Sequence, residues 1–248
     1  MTWLRLVRGE LRKLTTTKLP WGFLAVLVVI AGINAAVVMF GTDMDGSKRF
    51  IATATDQQSL MAFAFNAMIG TALFGAIAVA REYGHNTVVP MFLMSPRRPR
   101  AVLAQLTAVL LGGGVLGFAG QALIIAGVAA ALPSTQYGFM VAAGNVTQLL
   151  AASTLAGALG AVLGAGLGAI IRNLGGAVTA VVLVLFILPP LIVQLFNNAA
   201  SWIPPTLGAV ISGVSTDVNL WAALAVLLAW GLVPAALGLL AVQQRDVV

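Results

Sequence analysis

Apolar runs dominate the chain, and polar residues gather in short clusters between them. Runs free of charge cover Pro20–Phe40, Leu60–Ala80, Val102–Leu132, Thr147–Ile171, Leu174–Leu195 and Leu220–Val242. A helix needs about 20 such residues to cross a hydrocarbon layer of roughly 30 Å. The pattern therefore predicts an all-α integral membrane protein, with six transmembrane helices in one domain over residues 1–248. The third run is longer than a bilayer requires, which predicts a tilt or a break near Gly112, Gly113 and Gly114. Phe139 to Val146 is also apolar, so the pattern leaves the start of the fourth span open. The first run exceeds the 7–15 residues usual for a signal-peptide core, and no clear small-x-small site follows; a retained span is expected.

A different period precedes the first run. In WLRLVRGELRKL, Trp3, Leu4, Val7, Leu11 and Leu14 share one helical face, and Arg5, Arg8 and Arg12 share a neighbouring one. Residues 1–19 are thus expected to form an amphipathic helix lying in the membrane interface, its arginines towards anionic headgroups. Such a helix serves equally as an anchor or as a lever against a partner.

Composition sharpens the membrane reading. Charged residues make up 8% of the chain, hydrophobic ones 60%, and the mean hydropathy is +1.02. Soluble domains are about a quarter charged, so this chain cannot cover a water-facing surface. The net charge of +6 follows from where the basic residues fall rather than from any nucleic-acid partner. Arg5, Arg8, Arg12, Lys13, Lys18, Arg81, Arg97, Arg98, Arg100, Arg172 and Arg245 all lie on one side of a six-span chain. Lys48 and Arg49 lie on the other, with Asp43, Asp45, Asp56 and Asp217. The positive-inside rule then predicts that both termini are cytoplasmic. Few acidic residues, little lysine and abundant Ala, Gly and Val suggest a bacterial protein, and so the inner (plasma) membrane.

The chemistry available is limited. None of the six runs contains Asp, Glu, Lys, Arg or His, on which proton relays and voltage sensors rely. There is no cysteine and one histidine, His85, so neither a metal site nor a catalytic residue is expected. A P-loop needs Gly-Lys-Ser/Thr, but Lys13, Lys18 and Lys48 are followed by Leu14, Leu19 and Arg49. No cofactor is expected on this chain, and any driving energy would come from a partner. Asn34, Asn66, Gln105, Gln121 and Gln194 fall within runs. Asn34, Asn66, Gln121 and Gln194 are candidates for a substrate path, although bonding a neighbouring helix is the commoner role of such residues. Gly160, Gly164 and Gly168 share a face in the fourth run, open to packing within the subunit or to a dimer contact. Pro189 and Pro190 are expected to kink the fifth span, as a gate or merely a bend.

Between the second and third runs stands REYGHNTVVPMFLMSPRRPR, residues 81–100. With the basic N-terminus and six runs, it resembles the type 2 ABC transporter permeases, the membrane subunits of bacterial drug, antibiotic and polysaccharide exporters. The residues that carry the likeness are Arg81, Glu82, Tyr83, His85 and Thr87, then Ser95, Pro96, Arg97, Arg98 and Arg100. RGELRKLTTTKLPWGF near the start and ASWIPPTLGAVISG at 200–213 add to it. The family usually has Gly where Asn86 stands; Asn tolerates left-handed backbone, which keeps a turn open there.

The resemblance implies that residues 81–100 form a cytoplasmic coupling loop. A helix around Glu82–Val89, ended by Pro90, would dock on a separate ATP-binding cassette subunit through Glu82, Tyr83, His85, Asn86 and Thr87. Arg97, Arg98 and Arg100 would anchor the loop's return at the headgroups. ATP and Mg would be bound by that partner. A second permease copy, identical or sister, would complete the substrate path, with the first and fifth spans near the interface. Residues 196–219 would re-enter the membrane from the outer side, and the cargo would be amphipathic or lipid-like. The alternative is a facilitator or scaffold that works without ATP.

Overall fold

The computed structural model describes residues 3–44, 46–84 and 98–244, and among these every regular element is a helix. Six helices are long and apolar enough to cross a membrane. The protein is therefore an all-α, multi-pass membrane protein. Helix α1 (Trp3–Thr16) leads into α2 (Leu19–Phe40), whose first turn accommodates Pro20, where a missing N–H costs nothing. Val7 of α1 is buried and Leu14 packs into a cluster with Phe74, Val102, Val109 and Leu116. Trp3 and Leu4, on the same predicted stripe, stay exposed, as do Arg5, Arg8 and Arg12.

The second span is built in two pieces, α3 (Ala54–Met61) and α4 (Ala64–Gly84), separated by Ala62 and Phe63. Thr53 opens α3 with a capping box: its hydroxyl accepts from the Asp56 N–H at 3.1 Å, and the Asp56 carboxylate accepts from the Thr53 N–H at 3.1 Å. The helix therefore starts six residues earlier than the apolar run, because a cap and not hydropathy sets its beginning. At the far end α4 runs on through Gly84, so Glu82 and Tyr83 belong to the last turn of the span rather than to a separate helix.

Helix α5 (Arg98–Ala131) follows without a break. The break considered at Gly112–Gly114 is not present; Gly113 lies instead against the backbone of the next helix, so it serves close packing. That next helix, α6 (Ala143–Ile171), settles the start of the fourth span at Ala143. The fifth span, α7 (Leu174–Leu195), carries a π-helical turn over Leu183–Ile187, directly before Pro189 and Pro190. A proline cannot donate its N–H and crowds the carbonyl four residues back, and a widened turn relieves both. The chain then makes a 3-10 turn (Asn197–Trp202), a short helix α8 (Pro204–Ile211) packed on α4, α6 and α9, and the last span α9 (Leu220–Gln244).

Helix α6 is the hub, touching α4, α5 and α9 along its length. Its stripe of Gly160, Gly164 and Gly168 faces α4, where an added Cβ would strike the carbonyls of Met68, Ala72 and Ala76 respectively. Gly157 abuts Gly113 and Gly117 of α5, and Gly166 abuts Pro234, Ala235 and Gly238 of α9. The glycine stripe is thus filled from within the subunit and is not available to a second copy. Gly164→Ala is expected to lower stability by about 1–3 kcal/mol through overpacking of a backbone contact. Gly144→Ala, where a Cβ meets nothing within 4 Å, should stay within about 0.5 kcal/mol. Thermal unfolding of the two variants in one detergent measures the difference.

Candidate functional site

Two places gather the polar residues of interest, one at the basic end of the bundle and one between helices. At the basic end, Lys13 of α1 donates to Glu10 at 2.7 Å and to Glu82 of α4 at 2.9 Å. The second oxygen of Glu82 accepts from the Gln105 amide of α5 at 2.9 Å. One carboxylate at the foot of α4 therefore ties three elements together. Glu10 and Glu82 are largely buried, while the Lys13 side chain keeps about 45% exposure.

The electrostatics rank the two acidic partners. Burial works against charge on Lys13, but the carboxylates, Glu82 foremost and then Glu10, outweigh it and hold the ammonium above the ordinary lysine value. Burial pushes the Glu10 carboxyl up, further than its hydrogen bond to Lys13 brings it down, and the Glu82 charge adds to the rise. Both carboxylates thus hold the Lys13 ammonium, Glu10 as a carboxylate kept at some cost. A raised lysine contributes stability fully below its unfolded value and loses it only as pH rises through its folded one, so this tie is intact at neutral pH.

Beside this triad, Tyr83 lies under the Arg172 guanidinium, 5.3 Å from ring centroid to Cζ. Arg172 ends α6 in the left-handed region, φ 57°, where its N–H bonds the Gly168 carbonyl at 2.9 Å. Gly or Asn usually fills that place. Asn173 next to it caps α7, accepting from the Gly176 N–H at 3.0 Å. Tyr83 and Glu82 thus join the foot of α4 to α1, to α5 and to the α6–α7 turn. His85, Asn86, Thr87 and Arg97 lie outside the described residues, as does the side chain of Arg98; Arg100 is exposed in the first turn of α5.

The second place is a cleft of about 450 Å³ between α2, α4 and α7. Asn34 of α2 and Asn66 of α4 both line it, with Ile30, Phe63, Ile69 and Phe186 among the apolar walls. Among the described residues, no charged side chain lines it. The Asn34 amide donates to its own helix, to the Ile30 carbonyl at 3.0 Å, which leaves its oxygen for the cleft. Phe186 comes from the π turn and Phe63 from the α3–α4 break, so both irregularities of the spans open onto this space.

The other two path candidates lie elsewhere. Gln121 is fully buried; its amide donates to the Met61 carbonyl at 2.9 Å and its oxygen accepts from the Ser153 hydroxyl at 2.7 Å. It satisfies a carbonyl left without an intrahelical partner at the end of α3. Gln194 is exposed in the last turn of α7 and does not line the cleft. At the end opposite the basic one, Gln57 and Gln58 of α3 hold loops that hydropathy left unassigned. Gln58 donates to Ser212 at 2.9 Å and accepts from Asn145 at 2.7 Å; Gln57 donates to Gly138 at 2.9 Å and accepts from the Met140 N–H at 3.0 Å.

Compared with models of known protein families and with curated proteins, the chain matches none.

Two variant pairs test these assignments. Lys13→Met leaves two carboxylates facing one another and should lower stability by roughly 1–2 kcal/mol, less than for a fully buried pair; Glu10→Gln should stay within about 0.5 kcal/mol. Gln121→Leu strands the Ser153 hydroxyl and the Met61 carbonyl and should cost about 1–3 kcal/mol, whereas Asn66→Leu should leave the melting temperature unchanged. Thermal unfolding in detergent at neutral pH reads all four.

Proposed function

We propose that the chain is the permease subunit of an ATP-binding cassette exporter in a bacterial plasma membrane, with both termini cytoplasmic. A separate ATP-binding subunit would engage the segment after α4, bind ATP and Mg, and supply the energy. A second permease copy would complete the path for an amphipathic or lipid-like cargo. The observation that carries this reading is the anchorage of that segment. Its root at Glu82 and Tyr83 is tied to α1 through Lys13, to α5 through Gln105 and to the end of α6 through Arg172. A push on residues 85–97 would therefore reach four helices at once, which a mere connector has no need to do. The uncharged cleft at Asn34 and Asn66 supports the cargo class, since a charged ligand would find no counter-charge there.

Because Glu82 and Tyr83 also hold the fold, the test uses residues of the segment itself. Tagged protein is purified gently from its native cell, beside a His85→Ala, Thr87→Arg variant, and co-eluting proteins are identified by mass spectrometry. A P-loop ATPase present with the native chain and lost with the variant is expected. A variant and a native protein that both insert, fold and elute without any ATPase would turn the reading towards an ATP-independent facilitator.

A further inference from the structure

The elbow where α1 turns into α2 borders an open pocket of about 250 Å³ against the foot of α4. Its polar lining is unusual in being divided by hydrogen-bond type. Lys13 and Arg81 present N–H donors; the Lys13 charge is already met by Glu10 and Glu82, so Arg81 is the uncompensated cation of the lining. An ammonium has three donors, and Lys13 spends two on Glu10 and Glu82, which leaves one. Arg81, exposed in the last turn of α4, is also in the lining.

Thr16 and Thr17, also in the lining, do the opposite. The Thr16 hydroxyl donates to the Arg12 carbonyl at 2.8 Å and the Thr17 hydroxyl to the Leu14 carbonyl at 3.0 Å. With their hydrogens committed to backbone, both oxygens can only accept from a ligand. Glu82 adds a negative edge on the same side, and Leu19 and Ala78 give the apolar wall. Trp21, exposed in the first turn of α2, marks the height of the membrane interface here, where indoles concentrate.

A ligand that fits must carry an anionic acceptor, hydrogen-bond donors close to it, and an apolar part that continues along α2. We propose that this elbow is a binding site for a glycerophospholipid whose headgroup bears its own N–H or O–H donors, as phosphatidylglycerol and phosphatidylethanolamine do. The phosphate sits on Arg81 and Lys13, the glycerol hydroxyl or ammonium on the threonine oxygens and Glu82, and the acyl chains lie outside against α2. Phosphatidylcholine offers the same phosphate but no donor, so the site discriminates against it. The lipid fixes the angle between the interfacial helix and the first span, independently of what the protein transports.

Delipidated full-length protein in detergent tests this by thermal unfolding and native mass spectrometry with phosphatidylglycerol, phosphatidylethanolamine, phosphatidylcholine or inorganic phosphate added. The first two should raise the melting temperature and be retained on the protein; phosphatidylcholine and free phosphate should do neither. Arg81→Gln should weaken retention of both lipids roughly tenfold, as loss of a charge-assisted bond predicts. Thr16→Val should narrow the gap between phosphatidylglycerol and phosphatidylcholine without abolishing binding. Equal stabilisation by phosphatidylcholine would overturn the headgroup assignment, and equal stabilisation by inorganic phosphate would reduce the site to a phosphate site with no lipid. Retention unchanged in both variants would place the lipid elsewhere.

Discussion

The structure depends on the closeness with which α6 allows three other helices to approach it. In a bilayer the surroundings of a helix are as apolar as its own side chains, so burial drives association weakly and van der Waals contact must do more. Glycines supply that contact here. One face of α6 meets the α4 backbone at Gly160, Gly164 and Gly168, another meets α5 at Gly157, and a third meets α9 at Gly166. The three faces leave no room for side chains between the backbones. Consequently the positions of α4 and α5, and with them of Glu82 and Gln105, are set by α6.

Polar groups are then placed where the packed helices end or break. Gln121 reaches the carbonyl freed where α3 stops at Met61, Gln58 reaches Ser212 just past α8, and Glu82 gathers Lys13 and Gln105 at the foot of α4. Each satisfies a backbone carbonyl or a charge that would otherwise be left unpaired away from water, which is costly. The side-chain bonds join elements far apart in sequence, and they hold the ends of a bundle whose middle is held by glycine contacts.

How much of this was legible in sequence follows from the same division. The six spans were readable, because hydropathy over 20 residues reports directly on the bilayer. Element ends were not: α3 begins at a Thr53 cap rather than at the edge of the apolar run, and α6 begins at Ala143 within an ambiguous apolar stretch. The glycine stripe was visible, but its partner was not, since four-residue spacing fits a neighbour in the same chain or in another copy equally well. Among polar residues in spans, sequence could not separate Asn34 and Asn66, which share a cleft, from Gln121, which is locked between helices. The Lys13–Glu82 tie was hidden for a simpler reason: 69 residues separate the two, and neither position hints at the other. Gln57 and Gln58 carried one usable signal, adjacent amides just inside a capping box, where outward-facing residues need no such chemistry.

Burial within the bundle is unequal. The window of α6 that would span the membrane is 67% buried inside the protein, against 22% for α7 and 11% for α2. Moving α6 would open backbone contacts on three sides, whereas α2 rests chiefly on α5, and α7 on α4 and α6. Both α2 and α7 line the cleft, and each has an irregular end or turn. Helix α2 meets α1 at the Thr17–Lys18 elbow, and α7 carries the π turn before Pro189 and Pro190. The sparsely buried helices thus border the cleft, and the closely packed hub stands beside the anchored foot of α4.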